Sequence, residues 1–175
     1  NQESYFGFNQ YNIKQKSYYS NLIFNSIIDN TMNKFSTGIN FAYDKYDEFV
    51  NQIDYSRTDN SIGAFFEYTY DNTSNFSVVL GGRFDNHNRL GAFFTPRLHV
   101  RYNPWEKGVI RFSAGRGIRS ANIFAENQQL FGSSRTFEIL NSNGKIYGLN
   151  PEIAWNYGLS FSQKFLLFNK NGDIG

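Results

Sequence analysis

Apolar and polar residues alternate along most of this chain, and the alternation keeps its phase through many short segments. From Ser61 to Tyr70, one face collects Ile62, Ala64, Phe66, Tyr68 and Tyr70. The other face collects Ser61, Gly63, Glu67 and Thr69, with Phe65 as the exception. A period of two is the signature of a β-strand with unlike faces. Such strands must cover their apolar face, either with a second protein layer or with lipid.

Composition bears on that choice. The chain has 19 Phe and 12 Tyr in 175 residues, and a mean hydropathy of -0.52. Leu, Val and Met are sparse, whereas a soluble β-sandwich leans on Val, Ile and Leu for its core. Phe and Tyr suit lipid-facing strands and their interfacial girdles. A formal charge of +2 is too small to argue for a nucleic-acid partner. With no cysteine, there is neither a disulfide nor a Cys-based zinc site. No stretch reaches the ~18 consecutive apolar residues of a membrane helix. Asn1-Gln2-Glu3-Ser4-Tyr5 is not a signal peptide, and Asn169 to Asp173 reads as a tight turn toward a further strand. Both ends therefore suggest a piece of a longer protein.

Periodicity predicts about seven strands: Tyr18–Asp29, Lys34–Asp44, Asp59–Tyr70, Phe76–Asp85, Phe94–Tyr102, Val109–Gly117 and Glu152–Phe165. Each is close to the ~9–11 residues that a tilted strand needs to cross a bilayer. The connections alternate in length. Those near residues 29–34, 71–75, 103–108 and 169–173 are short. Asp44–Asp59 is long, Asn86–Ala92 intermediate and Arg116–Pro151 very long. Short turns then gather at one end and long loops at the other, as in outer-membrane barrels. A soluble up-and-down barrel shows part of the same asymmetry. Within the longest connection, Ser120 could cap one or two helical turns over Ile123–Gln129.

Several motifs follow one another on consecutive strands. They are Gly82-Arg83-Phe84-Asp85, Thr95-Pro96-Arg97, Gly115-Arg116-Gly117-Ile118-Arg119, Glu126-Asn127, and Leu149-Asn150-Pro151-Glu152. Their order and spacing over Gly81–Phe165 resemble the barrel of TonB-dependent outer-membrane receptors, most of all the Bacteroidetes type. The resemblance implies an all-β fold, an antiparallel up-and-down meander forming part of a transmembrane β-barrel. It also implies a complete barrel of 22 strands around an N-terminal plug domain absent from this sequence. The implied function is active uptake of a scarce ligand across the bacterial outer membrane, of siderophore, haem, cobalamin or glycan type. The implied partners are outer-membrane lipid, a small-molecule or oligosaccharide ligand, and the TonB complex, reached through the plug domain.

Arg83, Arg97, Arg101 and Arg111 lie in phase with the polar face, where Glu67, Asp85 and Glu152 are the visible acids. These arginines are lumen residues, either solvated or matched by carboxylates of the plug. The two long connections offer Arg119, Phe124, Phe131 and Arg135 on one side and Tyr46 and Phe49 on the other as ligand contacts. Arginine and aromatic side chains suit a bulky anionic or amphipathic cargo. His87 and His99 have no converging ligands, so no metal or other cofactor is expected. His99 and Ser113 could face each other across a turn, but a hydrolase also needs an orienting group and an oxyanion hole. Neither is visible, and no catalytic residue is assigned. A passive outer-membrane porin and a soluble all-β ligand-binding domain remain as alternatives.

Overall fold

The computed structural model describes residues 2–7, 9–133, 139, 143–167 and 170–175, the side chains of 167, 170 and 171 excepted. Its strands are β1 (Gln2–Phe6), β2 (Asn9–Ile27), β3 (Asn33–Val50), β4 (Ile53–Asp54), β5 (Arg57–Asp71), β6 (Phe76–His87), β7 (Gly91–Tyr102), β8 (Gly108–Arg119), β9 (Glu152–Leu167) and β10 (Lys170–Ile174). They form one 10-stranded sheet in the order β1-β2-β3-β5-β6-β7-β8-β9-β10, with β4 paired to β3. Every pairing is antiparallel.

The register carries the alternation from strand to strand. One row on the apolar face reads Phe35, Tyr68, Leu80, Leu98, Ala114 and Tyr157. Its neighbour reads Tyr70, Val78, Val100, Phe112 and Leu159. On the opposite face the matching rows are Glu67-Gly81-Arg97-Gly115-Asn156 and Asp71-Ser77-Arg101-Arg111-Ser160. A slip of one residue in any pair would exchange the two faces, so the pattern specifies the register strongly. Among the described residues nothing covers the apolar face. Leu159 is 76% exposed, Tyr157 71% and Leu22 67%. An apolar sheet face this extensive is untenable in water, and it fits a hydrocarbon environment.

The seven predicted strands are all present, and the structure adds to them. The strand expected to start at Tyr18 starts at Asn9. The expected long loop after Asp44 is strand instead: β3 runs on to Val50 and turns through Asn51 and Gln52, both at positive φ. The chain then returns as β4 and β5. The backbone ladder continues there although the apolar alternation fades, because no lipid demands it beyond the membrane. Lys170 to Asp173, read as part of a turn, form β10 with Ile174 and pair with β9, while Asn169 lies outside the described residues. The end bearing the long segment also carries the tight β6–β7 hairpin, so its asymmetry lies as much in extended strands as in loops.

The long segment after β8 is not extended. It holds a short helix α1 (Ile123–Glu126), a 3-10 turn over Gln128–Gly132 and another over Ile146–Gly148. The cap of α1 is Asn122, whose side chain accepts from the Ala125 amide, and not Ser120. No helix of the described residues is long and apolar enough to cross a membrane.

Candidate functional site at the mouth

The segment folds back onto the polar face at the end where β2, β3 and β5 are longest. Alternation on β3 turns Tyr46, Glu48 and Val50 to that face. Register then aligns Tyr11 and Ile13 of β2 and Arg57 and Asp59 of β5 with them. Phe124, Phe131, Ile146 and Tyr147 pack on Tyr11 and Val50, making the buried apolar cluster of the described residues. Stacked or tilted rings join Tyr11 to Phe131 at 5.9 Å and Tyr55 to Phe124 at 4.8 Å. Tyr147 meets Phe124 edge-on at 5.2 Å.

A charged network lies under this cluster. The Glu48 side chain is fully buried. Its carboxylate accepts from the Tyr11 hydroxyl at 2.8 Å, the Tyr147 hydroxyl at 2.6 Å and Arg57 Nη1 at 2.6 Å. Arg57 also donates to Asp59 at 3.1 Å and lies over the Tyr46 ring, 4.1 Å from its centroid. Arg89 closes the set with Nε 2.9 Å from Asp59 Oδ1. A buried charge is tolerable only when paired and hydrogen-bonded, and this one is both. Burial, and then the hydrogen bond to Glu48, push the Tyr11 and Tyr147 hydroxyls well above the ordinary phenol range. Both therefore stay protonated and keep donating. Tyr147 sits in the left-handed region (φ 51), a conformation that costs on the order of 1–3 kcal/mol for a non-glycine residue. The ring and hydroxyl contacts hold it there.

These contacts redefine the expected site. Phe124 and Phe131 are 0% and 1% exposed, so they anchor the segment to the wall and present no free ring. Tyr46 and Phe49 lie on a strand rather than in a loop. Tyr46 faces the mouth under Arg57, while Phe49 turns to the opposite face, 41% exposed, and leaves the site. Arg119 is exposed and paired to Glu126 at 3.0 Å and Glu152 at 3.0 Å. Arg135 lies outside the described residues. Nothing local marks Glu48, Arg57 and Tyr147 as a unit, because the strand return and the long segment bring them together from distant positions.

The four lumen arginines divide. Arg83 chelates Asp85 through three contacts of 2.7 to 2.9 Å. Arg97 pairs with Glu67. Both arginines line a cleft of about 440 Å³ with Phe65, Thr95 and Asn156. Arg101 and Arg111 are direct cross-strand partners and have no carboxylate among the described residues. Arg101 donates to the Asn103 side chain at 3.2 Å. His99 and Ser113 are also register partners. Their row neighbours are Val79 and Gly158, and among the described residues no acid is paired with the imidazole.

A sheet of this kind, apolar on one face, polar on the other and overlaid at one end of its polar face by its own chain, is part of the wall of a transmembrane β-barrel. The chain belongs to the TonB-dependent receptor β-barrel family: the family described as "TonB dependent receptor-like, beta-barrel" matches residues 1–174. Members of this family are transporters of the bacterial outer membrane, not enzymes. Several solved structures share the fold. The siderophore receptor PirA from Pseudomonas aeruginosa aligns at TM-score 0.68 with 14% identity, covering 92% of this chain and 34% of that one. PirA from Acinetobacter baumannii aligns at 0.57 with 15% identity, covering 89% and 25%. A variant of the ferric enterobactin receptor PfeA from Pseudomonas aeruginosa aligns at 0.64 with 13% identity, covering 88% and 25%. The chain thus spans about a quarter to a third of the length of these receptors. No curated protein matches it.

Proposed function

We propose that this chain forms part of the wall and mouth of a receptor that imports a scarce ligand across the outer membrane by TonB-dependent transport. The observation that carries the reading is the match of residues 1–174 to the TonB-dependent receptor β-barrel family. The segment after β8 fits that reading: it folds inward over the polar face and is held there by the buried Glu48 network. Ligand of siderophore type is favoured, since solved structures that share this fold include siderophore receptors. Tyr46, Arg119 and Arg135 are the proposed contacts; Phe124 and Phe131 act by fixing the segment's course.

In the same reading Arg101 and Arg111 face the plug. Arg83 and Arg97 already have acids, so the two unmatched cations are the ones that require carboxylates from the domain filling the barrel. The test is iron-limited growth of a receptor-deficient strain that carries the complete gene, with a panel of ferric siderophores, in tonB-intact and tonB-deleted backgrounds. Growth on at least one chelate only when TonB is intact is expected. Rescue independent of TonB would make the protein a passive channel.

A further inference from the structure

The lipid-facing side carries a feature that transport does not use. On β2 and β3 the apolar face runs from Phe35 to Tyr43, with Leu22 and Tyr18 alongside. At ~3.3 Å per residue and a tilt near 40°, that run spans roughly 20 Å of bilayer, most of the ~25 Å apolar band of such barrels. Tyr18 and Tyr43 are direct partners at its mouth end and form the aromatic girdle there. One step further on the same face stand Lys16 and Lys45, also direct partners. The next pair is Lys14 and Asp47. Lys45 Nζ lies 3.4 Å from Asp47 Oδ1, the one acid of the group. Neither Lys14 nor Lys16 has an ion-pair partner among the described residues, and all three lysines are exposed.

Like charges directly opposite each other on a sheet repel and destabilise it. The arrangement is favourable when an anion sits between them. By strand position Lys16 and Lys45 stand about 5 Å beyond the tyrosine girdle and Lys14 about 10 Å, at the level of lipid head groups. The long connections are at this end, which places it outside the cell. We infer that Lys14, Lys16 and Lys45 form a binding site for the phosphates of an anionic glycolipid of the outer leaflet, lipid A being the chemistry that fits. A diphosphorylated disaccharide whose acyl chains lie along Leu22 and Ile39 sets its phosphates between Lys16 and Lys45. The inference is independent of what the receptor carries.

Native mass spectrometry of the complete protein in detergent, titrated with diphosphorylated lipid A, tests it. At about fivefold per lysine near an anionic surface, the variant Lys14→Gln/Lys16→Gln/Lys45→Gln should bind at least about tenfold more weakly. The Lys→Arg counterpart should bind as wild type does. Asp47→Asn, which keeps every lysine, should bind more tightly, and it tests the site even if the triple variant fails to fold. Unchanged binding in the Gln variant overturns the inference. So does equal binding of dephosphorylated lipid A, which would leave only the acyl chains, or of phosphatidylglycerol, which would make the patch a general anionic surface.

Discussion

Glu48 shows what one residue can decide. It is buried on a strand that continues past the membrane, and its charge is tolerated because Arg57, Tyr11 and Tyr147 surround it. Removing a partner from such a pair costs about 3–5 kcal/mol, because the remaining charge stays buried. Arg57→Ala should therefore release the segment rather than unfold the barrel. Hydrogen exchange at residues 122–133 and 143–148 of the complete protein should quicken by on the order of a hundredfold or more, with β6 to β8 unchanged. Arg57→Met combined with Glu48→Met should recover most of the protection. His87, at the tip of the β6–β7 hairpin, makes a pH prediction. Its Nδ1 accepts from the Arg89 and Leu90 amides at 3.1 and 3.3 Å, which requires the neutral ring. Burial lowers its pKa below the usual 6.5. A histidine depressed in the folded state contributes its stability above the unfolded value, and loses it as pH falls through the folded one. Protection factors at the Arg89 and Leu90 amides, which correct for the intrinsic pH dependence of exchange, should be high at neutral pH and fall as pH drops below the unperturbed imidazole value of 6.5, and His87→Gln should flatten that profile.

At the level of strands, the two faces answer to different surroundings. Leu80 points to lipid and its neighbour Val79 to the lumen, between Thr69 and His99. A charge on the lipid face near mid-bilayer costs about 2–4 kcal/mol, and one in the lumen much less. Leu80→Arg should reduce the fraction of complete protein that migrates as a folded barrel in an unheated gel, while Val79→Arg should leave it near wild type. The same physics decided what could be read from sequence. Strands β5 to β9 were legible because lipid on one side and water on the other enforce a period of two. The upper parts of β2 and β3 were not, because Lys45 to Phe49 stand beyond the hydrocarbon, where no face has to be apolar. Parity alone puts the wall arginines in phase with the polar face, and the register aligns Arg97 and Arg101 with that face's rows. Their acids were seen too, but whether Asp85 belonged to Arg83 or to a missing partner needed the register. The long segment gave up its aromatics and hid their role, since nothing local marks Phe124 as an anchor to Tyr11.

The whole sheet does not close within these residues: β1 and β10 each pair on one side only. Edges of this kind, beside a face of exposed Phe, Tyr and Leu, invite pairing with other chains. Residues 1–175 expressed alone and refolded into detergent should elute as mixed oligomers in gel filtration, whereas the complete protein should elute as one species. A single monomeric peak for the segment would show that its ladder finds closure unaided. At the other end of the molecule, Arg119 ties the first turn of the long segment, through Glu126, to the first residue of β9, through Glu152. Those two points fix where the segment leaves and rejoins the wall, and Phe131, Ile146 and Tyr147 hold it to the wall between them. The β8–β9 register runs unbroken beneath. Substitutions in the segment away from these contacts are therefore free to remodel what the mouth presents without moving a single strand.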